Sequence, residues 1–222
     1  MDRRKDSAKS QFDSWSRWYD RSLLQLVFFG PTHRAILSSL DAVVTGSAIL
    51  DVGCGTGLLA EKLLDASPEI TVVGIDLAPG MIKHAEQRCK RFGDRATFLV
   101  GDSEHLPFPD RTFDAVTCSH SFHHYPNQPA VVAEFARVLK SKGLLLLADA
   151  NTDCLWGKLL FDGFVNWLEG GVTHCSPNRF RELLEGAGFD VVTQRKGGFI
   201  MPWMVNRAVR RTAGVLPLRK AA

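Results

Sequence analysis

Apolar residues occur along the chain in short continuous runs that alternate with stripes at helical spacing. The runs predict five strands: one at about 48–52, "ITVVGID" ending at Asp76, "ATFLVGD" ending at Asp102, "FDAVTCSH" and "GLLLLADA". The stripes between them predict helices at about 57–66, from Pro79 to about Phe92, and from Pro129 to Leu139. This alternation is typical of a parallel sheet that is covered by helices on both faces.

Both ends of this central pattern carry further elements. Before it, the spacing of Phe12, Trp15, Tyr19 and Leu23 predicts an amphipathic helix over residues 11–29, broken by Gly30-Pro31 and followed by a second helix at about 32–40. After it, apolar positions in residues 151–175 predict a helical insertion behind strand five. A helix "PNRFRELLEGAG", a sixth strand "FDVVTQR" and a seventh in "GGFIMPWMV" follow, although Pro202 weakens the seventh.

Together these elements predict an α/β fold with a Rossmann-like, mostly parallel seven-stranded sheet and helices on both faces. At 222 residues the chain suits one such domain. We expect a helical cap over residues 1–40 and a cofactor-binding domain over residues 41–222. All five tryptophans lie outside residues 41–150, which suggests an aromatic-lined pocket for a second substrate between the N-terminal helix and the 151–175 insertion. They are Trp15, Trp18, Trp156, Trp167 and Trp203.

The composition of the chain argues against several classes of function. The net charge of +3 is too small to indicate nucleic-acid binding, although basic residues concentrate at both ends. The five cysteines are scattered without a C-x-x-C pair, so we expect neither a disulfide framework nor a structural zinc site. The charged N-terminus and the lack of an apolar run near ~20 residues predict a soluble cytoplasmic protein without stable membrane insertion.

The stretch "AILDVGCGTGLLA" at residues 48–60 carries the strongest signal of chemistry. It predicts a strand, a tight turn with Gly53, Gly55 and Gly57, and a helix whose free N–H groups point at a ligand. No Gly-Lys-Ser/Thr follows, so the turn is not a phosphate loop. Its spacing also differs from the G-x-G-x-x-G of dinucleotide enzymes, but Asp76 suits the ribose of either cofactor. The turn therefore predicts a nucleoside-cofactor cradle.

Four segments in order resemble the class I S-adenosylmethionine-dependent methyltransferases, particularly the group with the quinone and sterol C-methyltransferases. They are "ILDVGCGTG", "VVGIDLAPGMIKHA", "FLVGDSEHLPFPDRTFDAVTCSHSFHHYP" and "EFARVLKSKGLLLLAD". The resemblance implies that Asp51 and the glycine turn hold the methionine end of S-adenosylmethionine, and that Asp76 takes the ribose hydroxyls. It also implies cofactor contacts at Tyr19, Gly53, Cys54, Gly55, Gly57, Leu77, Met81, Gly101, Asp102, Ser103 and Ser119.

The methyl acceptor is expected to be a small apolar or aromatic molecule. His120 and His123, in "CSHSFHHYP", are candidate general bases, and His124 is expected to have a structural role. Related quinone C-methyltransferases carry Arg-Asn in place of His123-His124. We expect no metal ion. A nicotinamide-dependent oxidoreductase and a non-catalytic cofactor-binding protein stay open as alternatives, and the sequence does not determine the methylated atom or the oligomeric state.

Overall fold

Seven strands form one sheet in the computed structural model, which describes residues 28–40, 46–169 and 172–212. The strand order is β3-β2-β1-β4-β5-β7-β6. Strands β1 to β5 pair in parallel, whereas β7 is antiparallel to both β5 and β6. This arrangement confirms the predicted, mostly parallel Rossmann-like sheet. The strands are β1 (Ala48–Val52), β2 (Thr71–Asp76), β3 (Ala96–Val100), β4 (Phe113–Ser119), β5 (Leu139–Ala150), β6 (Phe189–Gly197) and β7 (Trp203–Arg210).

Helices cover both faces of the sheet because successive residues of each strand point to opposite sides. Ile49 and Leu146 pack in one buried cluster with residues of the first two helices, and Leu50 and Leu147 pack in a second cluster on the other face. The helices are α1 (Gly30–Ser39), α2 (Leu58–Ala66), α3 (Pro79–Cys89), α4 (Gln128–Val138), α5 (Leu155–Gly157), α6 (Asn166–Glu169) and α7 (Pro177–Gly186). No described helix has the length and apolar character needed to cross a membrane.

The predicted helix break at Gly30-Pro31 is wrong. The backbone is already helical at Phe29, with φ −67° and ψ −44°, and α1 begins at Gly30. Proline fits there because the N–H groups of the first helical turn have no partner within the helix, so losing one costs little. The predicted helix over residues 11–29 lies almost entirely outside the described residues, and the domain division at residue 40 stays a prediction.

Three other boundaries differ from the predictions. Helix α3 ends at Cys89, and a 3-10 segment at Lys90–Arg95 replaces its last predicted turn. Strand β5 begins at Leu139, which pairs with Phe113 ahead of an irregularity in register. The seventh strand begins after Pro202, so the proline precedes the ladder and removes no hydrogen bond from it. The predicted insertion is helical, with a π-helical segment at Lys158–Val165 between α5 and α6.

Candidate active site

The glycine turn after β1 adopts the backbone conformations that its composition predicts. Gly53, Gly55 and Gly57 have φ angles of 67°, 53° and 78°, in the left-handed region where a Cβ atom is unfavourable. The N–H groups of Gly53 and Cys54 donate to the carbonyl of Ile75 at 2.8 and 3.1 Å, which ties the turn to β2. Gly57 then caps α2, so the start of that helix faces the space above the sheet.

Substituting alanine for Gly53 is expected to destabilise the fold by about 2 kcal/mol, because the new Cβ combines left-handed strain with overpacking. That Cβ would lie against the Ser121 hydroxyl and 2.6 Å from the Tyr125 hydroxyl oxygen. Thermal denaturation measures the loss. Gly186→Ala is the matched control, since Gly186 has no positive φ and open space around its Cβ position. Equal melting temperatures for the two variants would contradict this account of the turn.

Carboxylates lie at the carboxyl ends of β2 and β3, on the same edge of the sheet. Asp76, the last residue of β2, accepts hydrogen bonds from the backbone N–H of Gly55 and of Ala78, each at 2.9 Å. Asp102 follows β3 and accepts from the N–H of Glu104 at 3.0 Å. These bonds fix both carboxylates at the carboxyl ends of parallel strands, where ligands bind in open α/β sheets.

Asp51 in β1 is a buried carboxylate, and one of its oxygens has no hydrogen-bond partner among the described residues. Its Oδ1 accepts from the Thr117 hydroxyl at 2.7 Å, whereas Oδ2 is the atom without such a partner, and the residue is 1% exposed. Burial raises the pKa of Asp51 to about 7, with a further increase from Asp76 that the Thr117 hydrogen bond opposes. A buried anionic oxygen without a partner is costly in the free protein, so this position fits a cationic ligand group.

Two adjoining cavities lie above this edge and share Gly53, Gly55 and Ser119. The larger has a volume of about 860 Å³, which includes the space at its open mouth. Its other walls are Val52, Ile75, Asp76, Leu77, Ala78, Met81, Gly101, Asp102, Ser103, His120, Ser121, His124, Tyr125 and Pro126. The smaller, of about 390 Å³, is also lined by Phe29, His33, Asp51, Cys54, Thr56, Leu58 and Leu59. We call the two together the cofactor cleft.

Nearly all residues predicted to contact a cofactor line this cleft. Gly57 does not; it instead lets α2 approach α3, because a Cβ there would lie 3.0 Å from the Cα of Ala85. Tyr19 lies outside the described residues. The sequence analysis missed Ser121, Tyr125 and Pro126, although their position just after β4 placed them at the ligand-binding edge of the sheet.

The two candidate bases occupy different environments. His120 lines the cleft, whereas His123 does not. The His123 ring instead makes a 2.6 Å contact from Nδ1 to Asp149, and its backbone N–H donates to the same carboxylate at 3.0 Å. Burial alone would raise the pKa of Asp149, but the charge and hydrogen bond of His123 outweigh it and hold that pKa below its usual range. Of the two candidate bases, only His120 therefore faces the cleft.

Three histidines that follow one another in space pack ring against ring. His123 lies between the rings of His124 and His174, with centroid separations of 4.2 and 4.9 Å. Within residues 28–40, 46–169 and 172–212, no group of three or more histidine, cysteine or acidic residues could hold a metal ion.

The described tryptophans do not form the expected pocket. Trp156 and Trp167 are 53% and 79% exposed, and Trp203 is buried against the backbone of Gly197 and Gly198. None of the three lines the cofactor cleft. Trp156 instead lines a separate open cavity with Phe199, Ile200 and Pro202. The described tryptophans are dispersed because tryptophan content in flanking segments does not determine which side of a helix or strand faces the site. Trp15 and Trp18 lie outside the described residues.

Comparison with known proteins shows that the chain is similar to methyltransferases. A family model described as "Methyltransferase domain" matches residues 49–143. The chain is 30% identical over 210 residues to a demethylmenaquinone methyltransferase of Thermotoga maritima, covering 84% of this chain and 90% of that protein. It is 33% identical over 142 residues to a demethylmenaquinone methyltransferase of Tropheryma whipplei, covering 64% of this chain but only 58% of that relative.

Solved structures share the fold at lower identity. A chain in the complex of the Haloferax volcanii Trm112 methyltransferase activator with a putative methyltransferase gives a TM-score of 0.76 at 21% identity, covering 90% of this chain and 98% of that one. Magnesium protoporphyrin IX methyltransferase from Synechocystis, solved with bound S-adenosylhomocysteine, gives 0.72 at 22% identity, covering 90% and 94%.

The cleft fits the donor that these relatives imply. Its unsatisfied Asp51 oxygen suits an ammonium group, and the open space at the Cβ position of Gly55 leaves room for a ligand close to the backbone of the turn. A nicotinamide cofactor is not favoured, because the relatives are methyltransferases and the turn lacks the dinucleotide spacing. The chain belongs to the class I S-adenosylmethionine-dependent methyltransferases.

Proposed function

We propose that this enzyme methylates a small aromatic acceptor of the quinol type on a ring carbon. The observation that carries the proposal is the aromatic character of the cleft where it adjoins β4. There His120 and Phe29 line the cleft with ring centroids 5.0 Å apart, and Phe28, which lines neither cavity, packs on the His120 ring at 4.1 Å. The similarity to a demethylmenaquinone methyltransferase over 90% of that relative supports a quinone-derived acceptor.

In the proposed complex, S-adenosylmethionine is bound by residues near the carboxyl ends of β1, β2 and β3. Asp51 holds the methionine ammonium, Asp76 accepts from the ribose hydroxyls, and Asp102 accepts from the adenine amino group, while Leu77 and Met81 pack on the adenine. When bound, S-adenosylmethionine supplies a methyl group on a positively charged sulfur. The protein then has to align acceptor and methyl and exclude water, which needs no metal ion.

Two segments cover the acceptor side. Phe28, at the start of the first described helical segment, stacks on Phe161 of the π-helical segment at a centroid separation of 5.6 Å. Phe161 in turn lies 5.5 Å from the His174 ring. Both phenylalanines are buried and line neither of the two cavities, so they form an apolar layer behind His120. An apolar layer at this position suits a flat ring better than a charged or strongly hydrated acceptor.

The methyl transfer needs no reactant other than the quinol and S-adenosylmethionine. The electron-rich ring carbon of the quinol forms a bond to the methyl carbon as the carbon–sulfur bond breaks, and the sulfur leaves as a neutral thioether. The ring carbon then loses its proton, which passes to water. Neither His120 nor His123 is required as a base in this scheme.

A direct assay tests the proposal. Purified enzyme is given S-adenosylmethionine and a short-chain 2-prenyl-1,4-naphthoquinol, and mass spectrometry looks for a product heavier by one CH₂. Parallel reactions use a sterol, a fatty acid and an amine. We expect product from the naphthoquinol alone. Methylation of another class with none of the quinol would refute the acceptor, and S-adenosylhomocysteine binding without any product would favour a non-catalytic cofactor-binding protein.

A further inference from the structure

His120 is held at the acceptor side of the cleft by an unusual backbone conformation. It directly follows β4, and its N–H donates to the carbonyl of Ala148 at 2.9 Å, which extends the ladder by one residue. Its φ of 54° then lies in the left-handed region, which costs a non-glycine residue about 1 kcal/mol or more. The conformation keeps the imidazole at the end of the strand, among the residues that line the cleft.

The imidazole of His120 has no hydrogen-bond partner among the described residues. Within the described part of the chain both ring nitrogens are buried without a hydrogen bond, and the residue is 7% exposed. The rings beside it belong to Phe28 and Phe29, which offer no acceptor. His123, three residues later, is bonded to Asp149. A buried donor and acceptor left unpaired cost about 1–3 kcal/mol each, so the pair indicates a ligand group that completes them.

The protonation state of His120 defines what that ligand group is. Burial lowers the pKa of His120 to about 3, with a smaller opposing effect of Asp149 and a further decrease from His123. At neutral pH the ring is therefore uncharged, with one N–H donor and one lone-pair acceptor. A neutral imidazole in apolar surroundings is a poor proton acceptor but a good hydrogen-bond partner for a hydroxyl or carbonyl oxygen.

We propose that His120 binds an oxygen substituent of the acceptor ring and so selects acceptors that carry one. The proposal rests on the proposed function and deepens it: the cleft takes hydroxylated or carbonyl-bearing aromatic rings, and it discriminates against the same ring without oxygen. An unsubstituted ring would leave both nitrogens unpaired beside an apolar surface. Sites built to hydrogen-bond a ligand oxygen discriminate strongly against analogues that lack it, for this reason.

A purely structural role of His120 makes a different prediction about ligand selectivity. If His120 served only to pack against Phe28 and Phe29, its replacement by another ring would leave ligand selectivity unchanged. If its ring nitrogens are hydrogen-bonded only when a ligand is present, His120→Phe removes two unsatisfied groups from the free protein. The melting temperature should then stay the same or rise. His120→Asn retains a donor and an acceptor and tolerates the left-handed backbone, so it should restore oxygen recognition.

Calorimetry on the complex with S-adenosylhomocysteine tests the proposal with two probes, 1,4-dihydroxynaphthalene and naphthalene. We expect the wild-type complex to bind the dihydroxy compound at least tenfold more tightly, His120→Phe to lose that preference, and His120→Asn to recover most of it. His84→Phe, on α3 and away from the cleft, is the control and should behave as wild type. Affinity for S-adenosylhomocysteine should change less than twofold in all variants.

Each outcome bears on the proposal. Equal wild-type binding of the two probes, or no binding of either, would overturn it, as would a preference that survives in His120→Phe. A large loss of S-adenosylhomocysteine affinity in His120→Phe would also overturn it and assign the residue to the donor half of the cleft. Selectivity that depends on His120, without methyl transfer to any quinol, would leave this inference standing and refute the proposed function instead.

Discussion

Replacing Asp76 with asparagine is expected to weaken S-adenosylhomocysteine binding about 100-fold. The Asp76 carboxylate accepts from two backbone N–H groups and, on our assignment, from the ribose hydroxyls as well. Asparagine has one acceptor oxygen, and its NH₂ group would face a backbone N–H donor. Hydrogen bonds to a charged group contribute about 1.5–3 kcal/mol each, and a loss of about 3 kcal/mol is roughly a hundredfold in affinity.

Isothermal titration calorimetry measures the effect, and Asp65→Asn provides the matched control. Asp65 is an exposed carboxylate that pairs with Arg91 on the protein surface, so its substitution makes the same change in charge without touching the cleft. We expect that control to bind as wild type does. If the affinity of Asp76→Asn for S-adenosylhomocysteine were within threefold of wild type, Asp76 would not bind the ribose. The melting temperature of each variant confirms that the titrated protein is folded.

The donor half of the site was accessible from the sequence because its signals are local. A buried run followed by glycines at alternate positions allows only a few backbone paths, and the carboxylate at the end of β2 follows directly from the strand pattern. Asp51, Asp76 and Gly53 therefore line the cleft at the edge of the sheet where they were expected. The first five strands also lie in the segments that were predicted for them.

The acceptor half was not accessible because it depends on contacts between distant segments. His120 and His123 are three residues apart in an apolar turn, and only the position of Asp149 on β5 shows which of them is already paired. Likewise, Phe28 and Phe161 stack on each other although 133 positions of sequence separate them. Periodicity indicates that such rings are buried, but it does not indicate against what they pack.

Asp51→Asn is expected to stabilise the free protein and to weaken its binding of S-adenosylhomocysteine. Burial raises the pKa of Asp51 from 3.8 to about 7, so the folded state binds a proton that the unfolded state has already lost. The resulting stability is fully present below pH 3.8 and is lost as pH rises through about 7. Asparagine resembles the protonated form, so the variant should match wild type near pH 4 and exceed it by up to about 4 kcal/mol above pH 7.

Binding should show the opposite trend. A ligand ammonium favours the ionised carboxylate, so below about pH 7 each binding event must displace a proton from Asp51. Wild-type affinity for S-adenosylhomocysteine is therefore expected to increase by up to tenfold per pH unit between pH 5 and 7. Asp51→Asn should show almost no dependence over this range and bind about 100-fold more weakly at pH 7, with the difference narrowing towards pH 5.

Calorimetry in two buffers of different ionisation enthalpy detects the displaced proton, and chemical denaturation from pH 4 to 8 measures the stability. Asp65→Asn again serves as the control, because it makes the same change in charge on the protein surface, away from the cleft. A variant that lost stability and affinity together would indicate a general structural defect. Opposite changes in the two quantities would show that Asp51 is kept at a cost to the fold because its unsatisfied oxygen binds the donor.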